Sequence, residues 1–152
     1  MSEDAPSPTS TLSPGTPAGY GARILIEAVR RIGVGGLNDA YAASLMMGAF
    51  GLSFRRPLVL VRAMMAELAR ASQRSIMIAP ACCCRTTVAE MLLVRIVSEA
   101  RDDPRRAHAL IGDLCGIDRG LGILSSAQAV AQAFDDLGRP IGEAGRGWVG
   151  RR

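Results

Sequence analysis

The sequence predicts an all-α fold, a compact bundle of about six helices with disordered N-terminal and C-terminal tails. Apolar residues recur at helical spacing in successive segments, and two Ser/Thr-x-x-Glu/Gln patterns are typical of helix-capping boxes. Aromatic residues make up only 4% of a chain that is 49% hydrophobic. Such an aliphatic core, rich in Ala, Leu, Ile, Val and Met, suits packed helices better than stacked sheets.

The length of 152 residues fits one domain with tails. Residues 1–16 are rich in Ser, Pro, Thr and Ala and lack apolar periodicity, so we expect them to be disordered. Residues 17–140 form the predicted helical domain. Residues 141–152 are rich in Gly and Arg and are predicted to be a flexible tail.

The first predicted helix starts at Pro17, with Thr16 as its cap, and runs to about Ile32, where Gly33 ends it. Its spacing predicts an apolar face of Ala22, Leu25, Ile26, Val29 and Ile32, opposite a polar face of Arg23, Glu27, Arg30 and Arg31.

The second predicted helix is capped by Asn38 or Asp39 and reaches Phe50, with Gly51 as its stop. It is apolar nearly all round, which is typical of a helix at the centre of a bundle or in an interface. The third predicted helix starts at Pro57 and runs to about Ser72.

The segment 75–79 is short and apolar and ends at Pro80, so it could be extended, although a lone strand has no partner. Thr87 and Glu90 form a capping box that predicts the start of the fourth helix. Its predicted inner face is Ala89, Leu92, Leu93, Ile96, Val97 and Ala100.

Asp103 caps the fifth predicted helix, which has Pro104 at its first position and runs to Cys115. A glycine-containing turn over residues 117–124 is then expected, and a second capping box, Ser125 and Gln128, predicts the start of a sixth helix. That helix ends at Gly138.

The formal charge is +4, and arginine supplies all 18 basic residues. Arginine suits phosphate and carboxylate recognition, but codon composition explains its excess together with that of Ala and Gly. No secretory signal precedes the helices, and no apolar stretch reaches the ~18 residues of a membrane span. We therefore expect a cytoplasmic protein with reduced cysteines.

Two stretches carry a family resemblance: Phe54-Arg-Arg-Pro-Leu58 leading to Met65-Ala-Glu-Leu-Ala-Arg-Ala-Ser72, and Ile78-Ala-Pro-Ala-Cys-Cys-Cys84. Together they resemble a family of short, uncharacterised proteins from GC-rich alphaproteobacteria, over roughly residues 19–140. The resemblance implies a bacterial source and a single helical domain, and it implies no activity.

Three consecutive cysteines, Cys82, Cys83 and Cys84, precede Arg85 and the fourth helix. Thiols near a helix N-terminus and an arginine are biased toward the thiolate, so these three residues are candidate reactive thiols. Redox sensing needs only exposure and a neighbouring thiol. Catalysis needs a base as well, and the sequence does not place His108, the only histidine, beside them.

Cys82, Cys84, His108 and Cys115 are also candidate ligands for zinc or another soft metal. Their spacing matches no usual zinc pattern. The competing interpretation is that His108 is a helix-surface residue and Cys115 a small core side chain, and we expect no cofactor.

Arginines could form a basic stripe along the third helix, and Trp148 lies among tail arginines, so stacking plus guanidinium contacts could grip nucleic acid. The candidates are Arg55, Arg56, Arg62, Arg70, Arg74 and Trp148, with Arg146, Arg151 and Arg152 beside the tryptophan. An ordinary solvated arginine face is the competing interpretation, and it is favoured because the net charge is small.

The function these features favour is a non-enzymatic interaction or regulatory module with a protein partner or a second copy of itself. Met46, Met47, Met64 and Met65 are adaptable side chains suited to loose recognition or to the core. A thiol-based metal or redox protein and an arginine-mediated nucleic-acid binder remain as alternatives.

Overall fold

The computed structural model describes residues 12–13 and 19–142, and within these ranges the chain folds into six α-helices and two very short strands. The predicted all-α fold is confirmed. The helices are α1 (Tyr20–Gly35), α2 (Ala40–Phe50), α3 (Arg55–Ala71), α4 (Val88–Glu99), α5 (Pro104–Cys115) and α6 (Leu121–Asp136). The strands β1 (Leu12–Ser13) and β2 (Thr86–Thr87) are antiparallel, and Leu12 is paired with Thr87.

The predicted tails fall largely outside the described ranges. Of residues 1–16, the structure describes only β1, so the disorder predicted there stays a prediction. The predicted cap at Thr16 and Pro17 also lies outside these ranges, and α1 begins at Tyr20 after Gly19. At the other end Ile141, placed by the sequence in the flexible tail, is buried against the core.

Three predicted helix starts are confirmed in atomic detail. Asp39 accepts a hydrogen bond from the backbone N–H of residue 42, and Asp103 accepts one from that of residue 106. Both arms of the capping box at Thr87 and Glu90 are formed. These caps are strictly local, so sequence pattern alone locates them.

Helix α6 begins at Leu121, so the turn predicted through residue 124 and the capping box at Ser125 and Gln128 are wrong. A Ser-x-x-Gln pattern also fits residues three apart on a helix surface. Gln128 instead donates a hydrogen bond from its side chain to the carbonyl oxygen of Ala100, at 3.0 Å. Gly120 precedes the helix where a Cβ would collide with Ile111.

Two other helices extend beyond their predicted limits. Helix α1 continues past Ile32 to Gly35, and α3 begins at Arg55 rather than at Pro57. Pro57 thus lies in the first turn of α3, where a missing N–H leaves no helical hydrogen bond unmade.

The core is aliphatic, as predicted, and α3 against α6 is its largest helix–helix contact. Phe134 of α6 is fully buried and meets Phe50 edge to face, with the ring centroids 5.0 Å apart. The predicted inner face of α1 is buried throughout. No helix in the described ranges is both long and apolar enough to cross a membrane.

Helix α2 is not a central helix. Ala42, Met46 and Ala49 are buried against α1 and α3, while Tyr41 and Met47 on the opposite side are exposed. Its nearly continuous apolar sequence therefore leaves an apolar face on the surface.

Candidate functional site

The segment between α3 and β2, residues 72–85, carries the three consecutive cysteines and is called the cysteine loop here. It contains neither helix nor strand, so the apolar segment 75–79 is not a strand. Its tip is a tight turn in which the N–H of Cys83 donates to the carbonyl oxygen of Pro80, at 3.0 Å.

Arg30 of α1 and Glu90 of α4 form a buried ion pair beneath this loop. Arg30 Nε donates to Glu90 Oε1 and Arg30 Nη2 to Glu90 Oε2, each at 2.8 Å. The Glu90 side chain has no exposed surface, and that of Arg30 is 7% exposed. The assignment of Arg30 to the polar face of α1 is therefore wrong, because this residue faces the loop rather than solvent.

Arg30 also holds the backbone of the cysteine loop. Its Nη1 donates to the carbonyl oxygen of Cys83 at 2.6 Å, and its Nη2 donates to that of Arg85 at 2.7 Å. One guanidinium therefore binds a carboxylate and two loop carbonyls, which uses the fork of donors that lysine lacks.

Glu90 binds the backbone on both sides of the three cysteines. Its Oε1 accepts from the N–H of Ala79 and its Oε2 from that of Thr87, both at 2.9 Å. The Thr87 hydroxyl accepts from the N–H of Glu90 at 3.0 Å and donates to the carbonyl oxygen of Met77 at 2.6 Å. Arg30, Glu90 and Thr87 together thus fix the backbone from residue 77 of the loop to residue 87 of β2.

The ionisation of the pair follows from these contacts. Burial alone raises the pKa of Glu90, but the hydrogen bonds from Arg30, Thr87 and Ala79 outweigh burial, so the pKa lies below its usual value. The hydrogen bond to Glu90 raises the pKa of Arg30 further, against the opposing effect of burial. Both side chains are therefore charged at neutral pH.

The thiols differ in exposure. Cys82 and Cys84 are exposed, Cys83 is half-buried, and Cys115 is buried. Burial raises the pKa of Cys115, although a hydrogen bond with Ser72 opposes this rise, so its thiol is a poor nucleophile. The thiolate bias predicted for the other three remains a prediction.

The loop separates two surface cavities, and the thiols are divided between them. Cys82 lines a cavity of about 500 Å³ next to the end of α1 and the start of α2. Cys83 and Cys84 line a smaller one, of about 180 Å³, next to Arg23 and Glu27 of α1. Cys82 and Cys84 therefore line different cavities.

The four predicted metal ligands are not brought together. Across the described ranges, no group of three or more His, Cys, Asp and Glu side chains could hold a metal ion. Cys115 is in the core, as its competing interpretation held, and His108 is half-buried, with its Nε2 accepting from the N–H of Gly120 at 3.2 Å.

Several predicted nucleic-acid arginines are engaged within the protein. Arg56 pairs with Asp136 at 2.8 Å, and Arg70 pairs with Glu67 one turn earlier at 2.7 Å. Arg74 donates to the carbonyl oxygen of residue 113 at 3.1 Å. Such pairing lowers the positive potential available to phosphates along α3.

The remaining candidates differ in exposure, and the basic stripe stays a prediction. Arg55 is exposed, whereas Arg62 is half-buried and its Nε is shielded from solvent. Trp148 and the tail arginines lie outside the described residues.

Arg30 is the site residue that the sequence analysis missed. The available signal was its position one turn after Ile26, at the edge of the apolar face of α1. Nothing local connects it with Glu90, which lies 60 positions further along the chain.

A family of unknown function, DUF6628, matches residues 4–138, so the resemblance to a family without an assigned activity is confirmed. The match starts earlier than the resemblance at residue 19 and includes the whole cysteine loop. No curated protein and no solved structure shows significant similarity to the chain. The chain therefore belongs to the family of unknown function DUF6628.

Proposed function

We propose that this protein is a non-enzymatic regulatory module that acts through the thiols of its cysteine loop, in a bacterial cytoplasm that keeps those thiols reduced. The observation that carries this proposal is a loop with a fixed backbone and exposed thiols. Arg30 and Glu90 hold its backbone from below, while Cys82 and Cys84 face solvent.

A buried ion pair is a costly way to hold a surface loop, because both charges lose their hydration. An ordinary turn needs no such support. This loss of hydration is explained if the loop must hold its side chains in one geometry. The side chains presented are thiols, whose chemistry depends on access and on nearby charge.

The division of the thiols favours reactions of single cysteines over chelation. Cys82 lines one cavity, and Cys83 and Cys84 line another. Reversible modification of one exposed thiol, such as oxidation or disulfide exchange, requires no second ligand.

The single histidine supports the non-enzymatic part of the proposal. A nucleophilic cysteine enzyme needs a base within hydrogen-bond reach of the thiol. The Nε2 of His108 accepts a hydrogen bond from the backbone N–H of Gly120, just before α6, so this nitrogen is already used within the protein. Regulation by thiol modification does not require that base.

Site-resolved alkylation tests this function. Iodoacetamide at neutral pH would be applied to two matched variants, Cys83→Ser/Cys84→Ser and Cys82→Ser/Cys83→Ser, which retain Cys82 or Cys84. We expect both retained thiols to be labelled at least about tenfold faster than Cys115, which is buried and less ionised. Uniformly slow labelling of the loop thiols would contradict the proposal.

The exposed face of α2 supports a second candidate function, self-association or binding of a protein partner. No charged residue occurs in α2, and Tyr41, Met47 and the following Leu52 are exposed. Leu52 is 99% exposed, and neighbouring exposed apolar side chains are typical of interaction surfaces. Light scattering over a concentration series would test self-association, with Leu52→Lys expected to favour the monomer.

A further inference from the structure

The cavity beside Cys82 has the features of a small-ligand site. Its volume, about 500 Å³, is in the range that holds metabolite-sized molecules. Val34, Pro80 and Ala81 form the apolar part of its lining. The charged, polar and thiol groups of the lining belong to Arg31, Asp39, Tyr41 and Cys82.

Arg31 is a cation without a carboxylate partner in the part of the chain that the structure describes. Its guanidinium lies over the ring of Tyr41, 5.2 Å from the ring centroid. This cation–π contact holds the guanidinium at the cavity and leaves its fork of N–H donors without a hydrogen-bond acceptor in the described part of the chain. A carboxylate is the acceptor that matches this fork in two hydrogen bonds.

Asp39 places an opposite charge in the same cavity. Its Oδ1 caps α2, accepting from the N–H of Ala42 at 2.9 Å. Its Oδ2 lies where a side chain at residue 35 would begin, so Gly35 makes room for the carboxylate. An ionised carboxylate retains free acceptor positions after one hydrogen bond and attracts an ammonium group.

One cavity therefore combines an anion-binding arginine, a cation-binding aspartate and an exposed thiol. We propose that it binds a zwitterionic low-molecular-weight disulfide, of the kind formed by an amino acid or short peptide that contains cysteine, and that Cys82 exchanges with it. This inference rests on the proposed function, because it names the substrate class of one loop thiol.

The exchange is balanced without a further reactant. The Cys82 thiolate attacks one sulfur of the disulfide and forms a mixed disulfide, while the other half leaves as a thiolate. Cys82 is thereby oxidised, and the released half is reduced. Thiols of the cytoplasm reverse the reaction by the same route.

The test compares exchange rates of the variant that retains only Cys82 among the loop cysteines. Glutathione disulfide, which carries both carboxylate and ammonium groups, is the charged probe, and bis(2-hydroxyethyl) disulfide is the uncharged one. Intact mass spectrometry follows adduct formation. We expect Arg31→Gln to slow exchange with glutathione disulfide about fivefold, the effect of a partly exposed ion pair, and to leave the uncharged probe unchanged.

Two further variants serve as controls. Arg23→Gln removes the same charge beside the other cavity and is expected to leave the rate at Cys82 unchanged. Asp39→Asn keeps an N-cap acceptor but loses the charge, so exchange with the diamine disulfide cystamine is expected to slow.

The outcomes separate the two proposals. If Arg31→Gln slows both probes equally or neither, the ligand site is refuted, while rapid alkylation of Cys82 leaves the proposed function intact. If iodoacetamide labels neither Cys82 nor Cys84 faster than Cys115, the proposed function itself fails. Faster exchange of glutathione disulfide with Cys84, measured in the Cys82→Ser/Cys83→Ser variant, than with Cys82 would also refute the ligand site.

Discussion

The guanidinium of Arg30 and the carboxylate of Glu90 meet in two hydrogen bonds of 2.8 Å, although 60 positions separate the two residues in the chain. Each partner also binds backbone groups of the cysteine loop, Arg30 through carbonyls and Glu90 through N–H groups. The pair therefore joins α1, α4 and the loop in one buried polar network.

Removing one partner should lower the free energy of unfolding by much more than the intact pair raises it, because the other charge is left buried and unpaired. Arg30→Met leaves the carboxylate of Glu90 and the carbonyls of Cys83 and Arg85 without their donor. We expect the free energy of unfolding to fall by about 3–5 kcal/mol, measured by urea denaturation. Arg56→Met, which breaks the exposed pair with Asp136, is the control and should lower the free energy of unfolding far less, because solvent screens that pair. Equal losses in the two variants would contradict the account.

The pair should also make stability depend on pH in the acidic range. The folded-state pKa of Glu90 lies below its unfolded value, because the hydrogen bonds it accepts outweigh the effect of burial. Its contribution is therefore complete above the usual pKa of glutamate, about 4.3, and is lost as pH falls through the folded-state value.

The measurement compares urea denaturation of the wild type and Glu90→Gln between neutral and acidic pH. The advantage of the wild type should shrink steadily below about pH 4.3. Taking the difference in the free energy of unfolding between wild type and Glu90→Gln at each pH cancels the similar pH dependence from Glu67 and Asp136. The pKa values of these two residues are lowered by Arg70 and Arg56. An advantage that is independent of pH would show that Glu90 is not ionised in the folded protein.

Thr87 should be stabilising through its hydroxyl alone. The hydroxyl caps α4 and also donates to the carbonyl oxygen of Met77. Thr87→Ala should lower the free energy of unfolding by about 1–2 kcal/mol, whereas Thr87→Ser keeps both hydrogen bonds and should recover most of this loss. Thermal denaturation of the two variants distinguishes a hydroxyl effect from loss of the methyl group.

Two helical glycines should respond oppositely to the same substitution. A Cβ at Gly21 of α1 would collide with the carbonyl oxygens of Arg139 and Pro140, so Gly21→Ala should destabilise by about 1–3 kcal/mol. Nothing lies within 4 Å of a Cβ at Gly48 of α2, so Gly48→Ala should stabilise by about 0.5–1 kcal/mol. Urea denaturation of both variants provides the comparison. Changes of the same sign in the free energy of unfolding would contradict this packing.

The sequence was informative wherever structure is determined locally. The caps at Asp39, Thr87 and Asp103 lie within three residues of the N–H groups they bind, so their patterns identify the starts of α2, α4 and α5. The same reasoning failed at Ser125, where an identical spacing occurs inside α6 and the helix begins after Gly120.

The candidate site was only half predictable. The cysteines and the capping role of Glu90 can be recognised from the sequence, but the burial of Arg30 depends on how α1 and α4 pack. Likewise, the division of Cys82 and Cys84 between two cavities follows from the path of the loop over α1. No spacing of residues in the sequence indicates either feature.

Hydrogen exchange of individual loop amides tests the central claim, that Arg30 and Glu90 fix the cysteine loop. The amides of Ala79 and Cys83 in the loop, and of Thr87 in the adjoining β2, should be protected in the wild type, since each donates to an internal acceptor. Arg30→Met should remove that protection while amides in the middle of α3 and α6 keep theirs. Loop amides that exchange freely in the wild type, or keep full protection in Arg30→Met, would contradict it.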